Sequence, residues 1–151
     1  MSGAVAITGA DGFIGRNLSV RLRELGFETL PITRRSDERG WRDAIASATA
    51  VVHLAGSNRP EDPEDFERIN AGSAEMLAQT LRALGRAVPI IYSSTAKAEE
   101  ASDYGRSKLR AEQLLADAAE ALGSPLYIYR LPNVFGKWAR PNYNSAVATF
   151  C

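Results

Sequence analysis

The sequence has 151 residues, of which 45% are hydrophobic and 24% are charged, as in a single soluble globular domain. Its 18 basic residues balance its 18 acidic ones, which argues against a nucleic-acid or membrane-surface partner. No hydrophobic run approaches the ~20 residues of a membrane span, no signal peptide is recognisable, and one cysteine allows no internal disulfide, so a cytoplasmic protein is expected.

The first predicted elements are a strand, a turn and a helix. Residues 4–7 have the length and composition of a buried strand, and a helical pattern of hydrophobic residues begins at Phe13. Between and just beyond them lie Gly9, Gly12 and Gly15, whose spacing fits a tight turn, close backbone approach to a diphosphate and close helix–strand contact. Free N–H groups at the helix start favour phosphate. A dinucleotide site is therefore predicted here, rather than a glycine-rich turn without a ligand.

The second predicted strand, residues 27–32, contains Pro31, which indicates an irregular strand. It is followed by Thr33, Arg34 and Arg35, at the position where an acidic residue would accept a hydrogen bond from the ribose 2′-hydroxyl of NAD. Here no carboxylate repels a 2′-phosphate, and two guanidinium groups are able to hold one. NADP is therefore favoured over NAD, with a solvated basic turn as the alternative.

Residues 36–48 predict one short helix and no additional strand, which narrows the sheet at that edge. Residues 50–55 predict the next strand, and Ala55 and Gly56 at its end are small enough for close approach of a cofactor. The strand contains the only histidine, His53. A histidine in this position more often packs and hydrogen-bonds in the core than acts as a base.

A long amphipathic helix is predicted over residues 66–84. Asn70 interrupts its hydrophobic face, either as a satisfied buried amide or as a group that orients water and backbone beside a site. The next predicted strand, residues 88–92, leads into three hydroxyl residues at 93–95. Ligands bind where parallel strands end, so these hydroxyls are candidates for a site.

Tyr104 and Lys108 begin a helix that runs to about residue 122, with Ser102 or Asp103 as its cap. Their four-residue spacing places both side chains on one helix face. A nearby ammonium favours the phenolate over a phenol of reference pKa about 10, so this pair is able to form an acid–base group. The alternative is an ordinary surface pair.

Residues 126–131 predict the last strand, which residues 132–136 interrupt. In the loop that follows, basic side chains suit a diphosphate and aromatic ones a base or sugar: Lys137 and Arg140, and Trp138 and Tyr143. A short helix is predicted over residues 145–150. Because so short a helix is marginal alone, the chain is expected to be truncated after Cys151.

Strands and helices alternate along the whole sequence, which predicts an α/β fold. We expect a Rossmann-type doubly wound parallel sheet in three α/β/α layers, forming one NAD(P)-binding domain over residues 1–151. The sequence predicts no metal site.

Six motifs in this order resemble the extended short-chain dehydrogenase/reductase family, the NAD(P)-dependent epimerase/dehydratase group. They are Gly9, Gly12 and Gly15; residues 53–56; Asn70; residues 93–95; Tyr104 with Lys108; and residues 130–136. The resemblance spans nearly the whole chain and implies an NAD(P)-dependent nucleotide-sugar oxidoreductase. Thr33 with Arg34 also resembles the strand end of relatives that use NADP to reduce 4-keto sugars.

The resemblance also implies functions for individual residues. The catalytic residues would be Thr95, which holds a carbonyl oxygen, Tyr104, which protonates it, and Lys108, which lowers the tyrosine pKa and holds the nicotinamide ribose. Ser94 replaces Thr95 if the strand ends one residue earlier. The cofactor-binding residues would be Gly9, Asp11, Gly12, Phe13, Ile14, Gly15, Arg34, Leu54, Ala55, Gly56, Tyr104, Lys108 and Leu131. The candidate substrate contacts are Asn133, Arg140 and Asn142.

Within the family, residues 132–138, 140–145 and 147–151 resemble bacterial capsular-polysaccharide reductases acting on UDP-2-acetamido-2,6-dideoxy-β-L-arabino-hexos-4-ulose. That subgroup implies NADPH-dependent reduction of the sugar's 4-keto group, on the way to an N-acetyl-L-fucosamine precursor of capsule or O-antigen polysaccharide. Its full-length members carry more of the reductase domain and a C-terminal cupin-like domain, both expected to be absent here. Related reductases dimerise, so a homodimer is expected.

Two alternatives remain open at this point. An epimerase or dehydratase would recycle its NAD(P), although no Asp–Glu pair follows Thr95 as in the dehydratases that the chain resembles. A non-catalytic dinucleotide-binding module is the other, but such a module has no need for the tuned phenol that Tyr104 and Lys108 would form.

Overall fold

A computed structural model describes residues 3–139 together with residues 141 and 149. Five strands alternate with four helices in this part of the chain. The strands are β1 (Ala4–Thr8), β2 (Glu28–Ile32), β3 (Ala50–His53), β4 (Ile90–Thr95) and β5 (Leu126–Leu131). The helices are α1 (Phe13–Glu24), α2 (Glu38–Ser47), α3 (Gly72–Leu84) and α4 (Asp103–Leu122), and a π-helical turn (Glu67–Ala71) leads directly into α3.

All five strands are parallel and lie in the order β2-β1-β3-β4-β5. The chain winds outward from β1 in one direction to β2, and in the other through β3 to β5. The order therefore reverses beside β1, where the carboxyl ends of β1 and β3 form the crevice in which open α/β sheets bind ligands. This arrangement confirms the predicted Rossmann-type doubly wound sheet.

Side chains of β1 point alternately to the two faces of the sheet. Helices cover both of these faces. Ala6 faces a large core shared with α2, α3 and α4, in which Trp41, Leu77 and Leu115 are buried. On the other face, Ile7 packs with side chains of α1. The result is the predicted three-layer α/β/α arrangement.

The strand β5 is less covered than the other four. Within the described residues it pairs only with β4, and Tyr127 and Tyr129 are 52% and 56% exposed. Strands of parallel sheets are usually buried on both faces. The described part of the chain therefore leaves one side of the sheet incompletely covered.

The end of β4 and the regularity of β2 differ from the predictions. The strand β4 extends through Thr95, so the hydroxyl residues 93–95 belong to the strand rather than following it. Pro31 lies within a regular β2 and pairs with Ile7. A proline is tolerated there because β2 is an edge strand. Among the described helices, none has the length and apolar character needed to cross a membrane.

Candidate active site

The glycine turn joins β1 to α1 in a conformation that excludes larger residues. Gly9 has a φ of 66°, and a Cβ added there would lie 2.9 Å from the Ala55 backbone nitrogen. A Cβ on Gly15 would lie only 2.3 Å from the Gly9 carbonyl oxygen. The turn is thus pressed between the start of α1 and the end of β3. A helix start of this kind is a general anion-binding feature, and the prediction of a diphosphate site at this turn stays a prediction.

A buried hydroxyl ties the ends of β1 and β3 together. Thr8 Oγ1 accepts hydrogen bonds from the backbone N–H groups of Leu54 and Ala55, both at 3.1 Å. Thr8 Oγ1 also lies 2.7 Å from His53 Nδ1. Because this oxygen already accepts two hydrogen bonds, the Thr8 hydroxyl donates its own proton to Nδ1. Burial, with Lys108 as a smaller cause, lowers the pKa of His53 to about 3. His53 is thus a neutral, hydrogen-bonded core residue, as the sequence favoured.

The amide of Asn70 links the segment after β3 to α4. Asn70 Oδ1 accepts from the Ser57 N–H at 2.8 Å, while its Nδ2 donates to the Ser57 carbonyl and the Ser107 hydroxyl, each at 3.0 Å. A Cβ on Gly56 would lie 2.6 Å from Asn70 Oδ1, which explains the glycine. Asn70 lies in the π-helical turn, a feature frequent at functional sites. Asn70 is therefore a satisfied buried amide that fixes the backbone beside the site.

The end of β4 brings Thr95 to Tyr104. Tyr104 lies in the first turn of α4, which begins at Asp103 and is capped by Ser102. The Tyr104 phenol hydrogen-bonds with Thr95, and its ring packs on Phe66 with 5.6 Å between centroids. Burial raises the pKa of Tyr104, and the Thr95 hydrogen bond opposes this only in part. At neutral pH the phenol consequently keeps its proton.

Lys108 lies one helical turn after Tyr104 and is buried. Its Nζ donates to the Ser93 carbonyl at 2.7 Å and lies 4.5 Å from the centre of the Tyr92 ring. Burial lowers the pKa of Lys108 to about 8, against the opposing charge of Glu112. The predicted lowering of the Tyr104 pKa is not found, because burial of the phenol raises that pKa, and the effect of Lys108 on Tyr104 stays a prediction.

The neighbouring hydroxyl, Ser94, belongs to a different network. It donates to Glu112, whose carboxylate also binds Arg130 through Nε at 3.0 Å and Nη2 at 2.8 Å. Arg130 additionally pairs with Glu99. Since the Ser94 hydroxyl is engaged on Glu112 and β4 continues to Thr95, the geometry favours Thr95 over Ser94 as the site hydroxyl.

Sequence reasoning missed Glu112 and its pairing with Arg130. Two signals were available: Glu112 follows Lys108 by four residues on the same helix, and Arg130 is a charge inside a hydrophobic strand. No sequence pattern showed that the packing of α4 brings Glu112 and Arg130 together.

The end of β2 lies at a groove of about 520 Å³ between α1 and β2. Asp11, Arg16 and Thr33 line this groove, and Arg34 follows in an exposed turn held by hydrogen bonds between Thr33 and Ser36. Arg16 was not predicted as a site residue. Arg23 lines the groove as well, whereas Arg34 is not among its lining residues.

The segment after β5 turns towards α1 rather than towards Tyr104. Asn17 Nδ2 donates to the Lys137 carbonyl at 2.8 Å, and Trp138, with a φ of 67°, lines the groove beside α1. Trp138 was predicted to suit a base or sugar face, and this stays a prediction for its position on the groove. Asn133 is exposed. The other substrate candidates, Arg140 and Asn142, and also Tyr143 lie outside the described residues.

The remaining predicted cofactor residues lie along the carboxyl edge of the sheet. Phe13 and Ile14 form the first turn of α1, and Leu54 follows β3. Leu131 ends β5 opposite Thr95, and its carbonyl accepts from the Ala96 N–H at 2.9 Å. The carboxyl edge of the sheet thus gathers residues that the sequence separates by more than a hundred positions.

The fold and the site together define a dinucleotide-binding α/β protein with a Thr–Tyr–Lys cluster at its carboxyl edge. Residues 5–150 match the family described as the NAD dependent epimerase/dehydratase family. The chain belongs to this family.

Three similar proteins show how the match is distributed. A UDP-2-acetamido-2,6-beta-L-arabino-hexul-4-ose reductase from Pseudomonas aeruginosa is 51% identical over 148 residues, covering 97% of this chain and 40% of the relative. The capsular polysaccharide assembling protein CapF from Staphylococcus aureus is 41% identical, with a TM-score of 0.84 over 97% of this chain and 40% of that one. A dTDP-4-dehydrorhamnose reductase from Bacillus anthracis, solved with NADP, shares the fold at 19% identity, with a TM-score of 0.78 over 93% of this chain and 57% of that one. The chain thus spans about 40% of the length of the first two proteins.

Proposed function

We propose that this chain supplies the cofactor half and the acid–base residues of a reductase acting on the 4-keto group of a UDP-linked 2-acetamido-2,6-dideoxyhexos-4-ulose. The observation that carries the proposal is the cluster of Thr95, Tyr104 and Lys108 at the same carboxyl edge of the sheet as the glycine turn. The identity to the Pseudomonas aeruginosa reductase supports the class of substrate. The product would be an N-acetyl-L-fucosamine precursor for surface polysaccharide.

The residues of the cluster divide the work of a ketone reduction. When bound, a reduced nicotinamide supplies hydride to the carbonyl carbon. Tyr104 donates its proton to the carbonyl oxygen, and its raised pKa suits this acid role because the phenol stays protonated at neutral pH. Thr95 holds the same oxygen by a hydrogen bond. Lys108 is positioned to hold a ribose hydroxyl, since its Nζ has two donors left besides the Ser93 bond.

The direct test uses the chain alone and a hybrid in which the carboxyl-terminal 60% of the Pseudomonas aeruginosa relative follows it, since that relative extends beyond the region matched here. We expect NADPH to bind to the chain, and the hybrid to oxidise NADPH when given the UDP-4-keto sugar. One equivalent of NADPH should disappear for each sugar reduced. An epimerase or dehydratase would retain its cofactor without net consumption, and a binding module would show binding but no turnover in the hybrid.

We propose NADP as the cofactor because guanidinium groups, Arg34 and Arg16, flank the end of β2. Replacing Arg34 with alanine is expected to weaken NADPH binding about 10- to 100-fold, since a charge-assisted bond to the 2′-phosphate is lost. NADH binding should change little. Fluorescence titration of both cofactors measures the difference, and Arg35→Ala in the same turn is the matched control. Equal effects on NADPH and NADH would assign Arg34 to the solvated turn instead.

The two neighbouring hydroxyls of β4 are predicted to respond differently to removal. Thr95→Val, which keeps the shape of the side chain, is expected to lower kcat of the hybrid about 10²-fold because one hydrogen bond to the developing alkoxide is lost. Ser94→Ala should leave kcat nearly unchanged and lower stability by about 1 kcal/mol. Steady-state kinetics and thermal unfolding distinguish the two, and the reverse pattern would make Ser94 the catalytic hydroxyl.

A further inference from the structure

A buried carboxylate lies one helical turn beyond Lys108. Glu112 is only 7% exposed, and it accepts the Ser94 hydroxyl together with the two nitrogens of Arg130. It thereby joins α4 to both β4 and β5 immediately behind the catalytic cluster. No step of the proposed ketone reduction uses this carboxylate.

The groups that face Lys108 leave Glu112 as its principal charged partner. From β3 comes His53, which is neutral because burial lowers its pKa to about 3. From β4 comes Tyr92, and from α4 Tyr104, both neutral because burial raises their pKa values. The buried side chains of α3 and of the π-helical turn before it are uncharged. Within the described residues, the negative charge that acts on Lys108 is therefore that of Glu112.

We propose that Glu112 acts as a positioning residue for Lys108 across one turn of α4: its charge keeps the buried side chain in the ammonium form that donates to the Ser93 carbonyl, and Arg130 offsets part of this effect. The carboxylate lies on the same helix face as Lys108, so its charge favours the ammonium that burial disfavours. The inference rests on the proposed function only in giving that ammonium a role in cofactor binding.

Arg130 moderates the carboxylate because it forms a two-point ion pair with it. The guanidinium bound to Glu112 offsets part of the negative charge that acts on Lys108. Removing the carboxylate and removing the guanidinium should consequently have opposite effects on Lys108. A cluster that served only to hold β5 against α4 would not produce effects of opposite sign.

The test follows the titration of Lys108 directly. The chain contains three lysines, Lys97, Lys108 and Lys137, so NMR of protein labelled with ¹³C-lysine gives three side-chain signals that Lys→Arg variants assign. In Glu112→Gln, the titration midpoint of Lys108 is expected to fall by about one pH unit relative to wild type. In Arg130→Gln, it is expected to rise.

Two controls guard against general disturbance. Glu99→Gln removes the exposed partner of Arg130 and should leave the Lys108 midpoint near the wild-type value. The signal of Lys137, whose side chain lies over the Trp138 ring, serves as an internal reference in every variant. An unchanged midpoint in Glu112→Gln, or a change of the same sign in Glu112→Gln and Arg130→Gln, would overturn the proposal.

A second readout connects the inference to the cofactor. NADPH affinity between pH 7 and 9 should decline as Lys108 loses its proton, and the decline should begin at lower pH in Glu112→Gln. The 2′-phosphate itself titrates near pH 6, about one unit below this range. If the wild-type chain did not bind NADPH, the proposed function would fail, while the NMR titration would still decide the role of Glu112.

Discussion

Replacing Tyr104 with phenylalanine is expected to lower the rate of ketone reduction by about 10²–10⁴-fold, the usual contribution of general acid catalysis. The substitution removes the proton donor and its hydrogen bond with Thr95 but keeps the ring that packs on Phe66. NADPH affinity should therefore change little. The measurement is kcat in the hybrid with the UDP-4-keto sugar, compared with the dissociation constant for NADPH.

The matched control is Tyr127→Phe, which removes the same phenol oxygen from an exposed position on β5. Its kcat is expected to equal that of the unmodified hybrid. A Tyr104→Phe hybrid that retained the full rate would show that another group protonates the alkoxide, and the assignment of Tyr104 as the acid would have to be withdrawn.

Replacing Gly15 with alanine is expected to abolish measurable NADPH binding and to lower the free energy of unfolding by about 1–3 kcal/mol. The added Cβ would lie 2.3 Å from the Gly9 carbonyl oxygen and 2.8 Å from Ala10 Cα. Because both contacts are with backbone, the turn itself must move. Its N–H groups would then no longer point at the diphosphate. Fluorescence titration with NADPH and denaturant unfolding measure the two effects.

Gly72→Ala provides a control with the opposite expected sign. Gly72 begins α3 with helical dihedral angles, and a Cβ there would meet no atom within 4 Å. Alanine in that position is expected to stabilise the protein by about 0.5–1 kcal/mol with unchanged NADPH binding. If Gly15→Ala bound NADPH as well as Gly72→Ala does, the glycine turn would not be the diphosphate site.

The order and type of the elements followed from the sequence because each has a local cause. The glycine turn after β1 predicted the dinucleotide fold, and the short helix predicted within residues 36–48 is present as α2, with Trp41 and Ile45 buried. The end of β4 was harder to place. Ser93 and Ser94 suggested that the strand had ended, but pairing with β5 carries it through Thr95.

The parts of the site that were missed depend on contacts between distant segments. Glu112 and Arg130 are 18 residues apart and meet only because α4 packs across β5. The direction of the Tyr104 pKa was also missed, since spacing on a helix reveals a neighbouring charge but not how deeply a phenol is buried. Trp138 lies beside α1, where the Asn17 side chain donates to the carbonyl of the preceding Lys137, a contact between segments 120 residues apart that no sequence pattern encodes.

The two faces of β5 differ in what they contact. The glycine turn follows β1 and lies against the end of β3, and the Thr95–Tyr104–Lys108 cluster is formed by β4 and α4. These elements pack against one another. Within the described residues β5 pairs with β4 on one edge, its Arg130 binds Glu112 of α4, and Tyr127 and Tyr129 are exposed. Since alternate residues of a strand point to opposite faces, Arg130 ties one face of β5 to α4, while the two tyrosines leave an aromatic surface on the other face within the described residues.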